Sequence, residues 1–165
     1  MPEEFTDAIA LLKADHRTVE DLFAKFEKAG DGRKQGIAEQ ICTELKIHTL
    51  LEEEIFYPAL EGKIDEDDLK EAFVEHDGAK VLINDIMSGG NDDFYDAKVK
   101  VLQEGIEHHV KEEEERGDGI FAQARKTEID FVAMRDQMVA RKRQLTAQAK
   151  AGGLPEAELT VVETP

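Results

Sequence analysis

Residues 41–55 read Ile41-Cys42-Thr43-Glu44-Leu45-Lys46-Ile47-His48-Thr49-Leu50-Leu51-Glu52-Glu53-Glu54-Ile55. Ile41, Leu45, His48, Glu52 and Ile55 recur in steps of four and three, the period of one face of an α-helix. A histidine and a glutamate therefore stand where such a helix should bury leucine. Four residues is just over one turn, so the two side chains share that face.

The pattern returns further along. Tyr95, Val99, Leu102, Ile106, His109 and Glu113 form one stripe. This register selects His109 as inward. His108 follows the weaker line Val101 and Gly105 and falls on the rim or surface. His16 completes the stripe Ile9, Leu12, Val19, Phe23, Phe26, and His76 sits among Leu69, Phe73, Ile83 and Met87. Four helices each deliver one imidazole to an apolar seam, and two also deliver a carboxylate. A lone histidine on such a stripe is commonly a satisfied core residue. Four with two carboxylates are a different matter, because burying them without compensation costs several kcal/mol. Metal ligation is the usual compensation.

The rest of the chain fits this reading. It has 165 residues, enough for one domain with a sizeable core, and only four prolines. Glu, Lys, Ala and Leu abound, which favours an all-α protein. Helices are expected over 6–29, 33–60 and 66–87. A fourth runs from an Asn91 or Asp92 cap to the break at Arg116-Gly117-Asp118-Gly119, and a fifth over 120–150. The expected architecture is an up-down-up-down four-helix bundle with an additional C-terminal helix, one unit over 1–150. Phe131, Met134, Met138 and Leu145 give the fifth helix a packing stripe, and Arg141-Lys142-Arg143 reads as a helix-end feature. Residues 151–165, with Gly-Gly, two prolines and no periodicity, read as a disordered tail.

Composition also excludes function classes. The net charge of −17 argues against nucleic acid and anionic membranes as partners. No apolar run approaches the ~20 residues of a membrane span, and the acidic start Met1-Pro2-Glu3-Glu4-Phe5 has no signal core. A cytoplasmic protein is expected. The single Cys42 precludes an internal disulfide or thiolate cluster and reads as a small buried residue. No Ser-His-Asp arrangement or Gly-rich phosphate loop is visible.

Four imidazoles and two carboxylates exceed one tetrahedral zinc site. They suit two metals bridged by carboxylates, and mixed nitrogen and oxygen ligation favours iron, with manganese or zinc as alternatives. The Glu-x-x-His signature of ferritin-like sites is absent.

The combination of His16, His48-Thr49-Leu50-Leu51-Glu52-Glu53-Glu54-Ile55-Phe56-Tyr57-Pro58, His76 and His108-His109-Val110-Lys111-Glu112-Glu113-Glu114 resembles the haemerythrin-like proteins, the haemerythrin HHE cation-binding domains. The resemblance covers about residues 6–125. It implies a four-helix bundle around two iron ions, oxo- or hydroxo-bridged, that meet dioxygen. By position, His16 and His48 would hold one iron, His76 and His109 the other, with Glu52 and Glu113 bridging. Oxygen-carrying haemerythrins supply two histidines, four apart, from the third helix. Here the flanking positions are Ala72 and Lys80, so water, an exogenous ligand or Glu75 would fill the gap. The Gly117-Asp118-Gly119 break reads as a tolerated insertion.

Smaller candidates have plainer readings. Glu20 falls beside its stripe, as a surface or outer carboxylate. Glu53, Glu54, Glu114 and Glu115 are solvated faces or outer partners of the histidines. Tyr57 is read as packing, with a hydrogen bond near the site as the alternative. The leading functional expectation is binding or sensing of dioxygen, peroxide or nitric oxide. A di-iron enzyme reducing peroxide or oxygen, or oxidising iron, is one alternative. An iron-handling or regulatory protein is the other.

Overall fold

The computed structural model describes residues 5–89 and 93–163. The elements are α1 (Ala8–Lys28), α2 (Asp31–Leu51), a π-helical turn (Glu52–Phe56), α3 (Tyr57–Leu60), α4 (Glu66–Gly89), α5 (Tyr95–Glu114), α6 (Ile120–Arg125) and α7 (Phe131–Ala151). No strand occurs among the described residues. The helix α1, the α2–α3 run, α4 and α5 form the bundle, and α7 packs on α1 and α2. No helix among the described residues is long and apolar enough to cross a membrane.

Local chemistry sets the element ends. The side chain of Asp7 accepts from Ala10 N at the start of α1, and Asp65 accepts from Asp68 N at the start of α4. The expected Asn91 or Asp92 cap lies outside the described residues, as does most of the acidic start. The fifth helix divides in two: α6 ends at Arg125, and Asp130 restarts the chain as the N-cap of α7.

Pro58 shapes the second long helix. It has no amide hydrogen and crowds the carbonyl four residues back. The preceding turn widens, so that Tyr57 N donates to Glu52 O, five residues back. This extra residue shifts the seam. Ile55, expected on the buried stripe, is only partly buried, and Phe56 and Tyr57 are wholly buried instead. In α4 the stripe drifts similarly: Met87 is exposed and Ile86 is buried.

The core is two apolar clusters with a polar layer between them. One gathers Leu12, Leu51, Phe56, Tyr57, Leu69, Phe121 and Met138. The other gathers Val19, Phe23, Leu45, Ile83 and Leu102. Along α1, α2 and α4 the change from one cluster to the other falls at or beside a site histidine, and α5 belongs to the second cluster up to Ile106, just before His109. Cys42 is buried in the second cluster, and burial pushes its thiol up to about 12. It stays protonated and unreactive.

The C-terminal segment differs from the expected disorder. It has no regular structure from Gly153 to Glu163, yet it is bound across α2 and α4. Asp77 accepts from the amides of Thr160, Val161 and Val162. Asn84 exchanges two hydrogen bonds with the Ala157 backbone. Composition signals missing helix periodicity, but it carries no sign of buried polar groups waiting on another helix.

Candidate metal centre

The six residues expected at the site converge. His16, His48, His76 and His109 are almost fully buried, and Glu52 and Glu113 are 0% exposed. Two overlapping sets form. Ligand-type atoms of His16, His48, Glu52 and Glu113 lie within 4.8 Å of one another, as do those of Glu52, His76 and His109. Glu52 belongs to both sets: its Oε1 lies 3.3 Å from His48 Nε2 and 3.0 Å from His76 Nε2. Glu113 also reaches both, with Oε1 3.1 Å from His16 Nε2 and Oε2 3.4 Å from His109 Nε2. The two His-x-x-x-Glu spacings place each pair one turn apart on α2 and α5, as the helical period requires.

Tyr57 has a larger place than the sequence assigned it. Its hydroxyl donates to Glu113 Oε2 at 2.6 Å and lies 3.2 Å from Glu52 Oε1. It is also 3.1 Å from His109 Nε2 and 3.3 Å from His76 Nε2. The π-turn aims it there: with Glu52 facing the centre, the wide turn returns residue 57 to that face. Pro58 is the sequence signal that marks this turn. Tyr57 therefore stands at the poorer set, beside His76 and His109. Glu75, the carboxylate expected to fill the gap, does not, and neither does Lys80 at the flanking position. Glu75 Oε1 bonds His109 Nδ1 on the outward side, and Lys80 turns to Glu53 and Asp77.

Each imidazole presents Nε2 inward and gives Nδ1 to an outer carboxylate. His16 meets Glu114 at 2.6 Å and His48 meets Asp15 at 3.0 Å. His76 meets Glu53 and His109 meets Glu75, each at 2.7 Å. Such partners fix the ring's orientation and its inward lone pair. Asp15 escaped sequence reading, and Glu75, expected as a candidate metal ligand, is instead an outer partner; each serves a histidine on a different helix. Of the other carboxylates, Glu54 pairs with Arg141, Glu20 with Arg17, and Glu115 is exposed. His108 is at the surface beside Glu112, as its register predicts. Arg141 and Lys142 lie within α7 and pair with carboxylates, so they are not a helix-end feature.

Electrostatics set the demand for cations. Burial opposes charge on His48, yet the carboxylates of Glu52 and Asp15 prevail and raise it to about 10. Burial likewise opposes charge on His109, and Glu113, Glu52 and Glu75 raise it well above the usual imidazole range. Burial works against an ionised Glu52, but the surrounding histidines hold it well below the carboxylate range. The raised His48 and His109 thus offset the buried carboxylates without fully satisfying the centre. His16 Nε2, His48 Nε2, Glu52 Oε2 and Glu113 Oε1 are buried with no hydrogen-bond partner. His16 Nε2 and Glu113 Oε1 are close but misaligned for one. Four buried ligand-type atoms left without a hydrogen bond in one residue cluster fit a bound cation, which would displace protons from the imidazoles.

The break after α5 also belongs to the site's framework. A Cβ on Gly119 would lie 2.5 Å from Glu115 O and 2.9 Å from Glu113 O, both backbone atoms. Gly117 has φ +89, a conformation suited to glycine. The close turn stacks Phe121 on His16, with ring centroids 5.8 Å apart. It is a packed corner and not merely a tolerated insertion.

Comparison with known proteins agrees with this geometry. Residues 7–116 match the family model described as the Hemerythrin HHE cation binding domain. A crystal structure of a Hemerythrin HHE cation binding domain-containing protein from Mycobacterium kansasii superimposes with a TM-score of 0.71. The match covers 90% of this chain and 94% of that one at 18% identity, a likeness of fold. A DNA nickase from Nostoc sp. is 31% identical over 107 residues, which is 63% of this chain and 30% of that protein. The chain thus spans under a third of that relative. With the family match over most of the bundle and the histidines and glutamates gathered as above, the chain belongs to the haemerythrin HHE cation-binding domain family.

Proposed function

We propose that the chain is a non-haem di-iron protein that binds or senses dioxygen or a related small ligand, peroxide or nitric oxide. His16 and His48 hold one iron, and His76 and His109 the other. Glu52 and Glu113 reach both. The observation that carries the reading is a cavity of about 20 Å³ against the four histidines, walled also by Val19, Leu45, Ile106 and Val110. That volume admits about one water-sized molecule. Its aliphatic wall favours an uncharged diatomic over a polar metabolite, and an organic substrate does not fit.

Iron, when bound, supplies open coordination and one-electron redox chemistry. The chain's own residues do the rest. The outer carboxylates orient the imidazoles, the aliphatic side chains exclude bulk water, and Tyr57 holds a proton on the hydroxyl that faces Glu113. The net charge of −17 supports the further reading that nucleic acid is not a partner. The test is elemental analysis, then anaerobic reduction and addition of oxygen, peroxide or nitric oxide under an optical spectrometer. Two irons per chain and a ligand-dependent spectrum are expected. An iron-loaded protein inert to all three refutes the reading.

The Tyr57 hydroxyl favours one second reading, turnover of peroxide, reduced by an added electron donor or by a second peroxide that is oxidised to dioxygen, because a buried proton donor stands beside the site. Consumption of many equivalents of peroxide per chain would select turnover over binding.

A further inference from the structure

The four outer carboxylates each have a further partner. Glu114 meets Arg17, and Glu75 meets His108. Both of these contacts stay within the region matched to the family. The other two do not. Asp15, bonded to His48, also receives Lys142 Nζ from α7. Glu53, bonded to His76, accepts from Thr160 Oγ1 at 2.6 Å and from Lys80 Nζ at 3.0 Å. Lys142 and Thr160 lie beyond residue 116, and each serves a histidine of a different metal set.

The position of Thr160 is specified and not incidental. Asp77 is 0% exposed and Lys80 is 4% exposed. A buried carboxylate or ammonium is costly unless paired. Asp77 takes three backbone amides of residues 160–162, and Lys80 gives hydrogen bonds to Glu158 O and Thr160 Oγ1. Lys46 Nζ adds a bond to Pro155 O. Helices α2 and α4 therefore hold residues 155–162 in one register, which sets the Thr160 hydroxyl on Glu53.

We propose that Thr160 and Lys142 are positioning residues of the centre, fixing the imidazole of His76 through Glu53 and that of His48 through Asp15. The C-terminal segment is then a working part of the site, one contact on each metal set. The contacts stand without metal; their consequence for metal rests on the di-iron reading above. A carboxylate held at both ends keeps its histidine's tautomer and ring angle, and hence the direction of Nε2. Thr160→Val removes the hydroxyl at similar volume, and Thr160→Ser restores it. Lys142→Met removes the charge while keeping the stem.

The experiment uses the full chain, metal-free and iron-loaded. In the metal-free chain, side-chain nitrogen resonances of the histidines are read by NMR. Thr160→Val should move His76 and leave His48, Lys142→Met should do the reverse, and Thr160→Ser should return His76 to its parent position. In the loaded chain, a chelator should remove about half of the iron faster from each variant. Loss of an outer partner costs about 10–100-fold in affinity, and one step further out the lower end, about tenfold, is expected. A parent chain that takes up no iron overturns the di-iron reading, and the metal-free resonances then decide this proposal alone. Resonances unmoved, or all four histidines moved alike as by general loosening, overturn the proposal. So do specific shifts with release rates equal to the parent's.

Discussion

Replacing His109 with Ala tests the register on which the centre is built. Its Nε2 lies 3.1 Å from His76 Nε2 and 3.4 Å from Glu113 Oε2, and its Nδ1 bonds Glu75. The substitution removes one of the three groups in the set Glu52, His76, His109, and leaves Glu113 and Glu75 each short of a partner. Breaking a buried ion pair costs about 3–5 kcal/mol. At about 2–4 °C per kcal/mol for a chain of this size, the metal-free Tm should fall by roughly 6–20 °C. Losing a ligand should cost at least the upper end of the outer-partner range, ~100-fold in affinity, so one of the two proposed metals should be lost. His108→Ala is the control for metal content: it reaches the set only through Glu75, so it can speed metal release but should leave both metals bound. Its side chain is 63% exposed, and a surface change of this kind stays within about 0.5 kcal/mol. Calorimetry and elemental analysis on both variants decide. Equal metal loss from the two, or none from His109→Ala, would refute the placement of this helix face.

Tyr57→Phe keeps a ring packed on Phe56 and Phe73 but removes the hydroxyl bonded to Glu113. Urea titration of the metal-free chain should show a loss of about 1.5–3 kcal/mol, the range for a bond to a charged group. No loss would place the hydroxyl outside the network. Gly119→Ala should lower stability by about 1–3 kcal/mol or more, because its Cβ would meet the backbone of Glu113 and Glu115. Gly152→Ala, with open space around it, should melt with the parent, and equal melting of the two variants would count against the packed corner. For pH, His48 stands at about 10 against an ordinary 6.5, so its stabilisation is full below pH 6.5 and is lost as pH rises to about 10. The lowered Asp15, Glu53 and Glu114 act oppositely, and their stabilisation is lost as acid protonates them. The metal-free chain should therefore be most stable at about pH 5–6.5, and metal affinity should rise with pH as protons are displaced. A metal-free stability that climbs from pH 7 to 10 would contradict this network.

Much of the site was legible because a helix converts spacing into direction. His16, His48, His76 and His109 interrupt apolar stripes, and Glu52 and Glu113 follow one turn on, so their convergence needed only the bundle. His108 and His109 separated for the same reason. What stayed hidden depends on contacts between helices, or on a departure from the helical period. Asp15 neighbours His16 in sequence but serves His48. Arg141 and Lys142 form a basic run, which says nothing of the carboxylates that face it on other elements. The C-terminal segment has no periodicity of its own, and its order comes from Asp77, Lys80 and Asn84 on α4.

Tyr57 and Ala72 explain each other. In a regular helix the seam through His48 and Glu52 continues to Ile55, and a phenol at 57 would point elsewhere. Pro58 imposes the wide turn, and the turn directs Tyr57 inward. Its ring then packs against His76, tilted, and Phe73, edge to face, with centroids 5.3 Å away in each case. Residue 72, one turn before His76, is a buried alanine in the same apolar cluster as Tyr57. A histidine there would compete with the phenol for the space next to His76. The set that has fewer histidines than the oxygen-carrying pattern has a hydroxyl instead, one that carries a proton and faces both buried carboxylates. That exchange turns a question about a missing ligand into one about proton supply, which is where binding and turnover part.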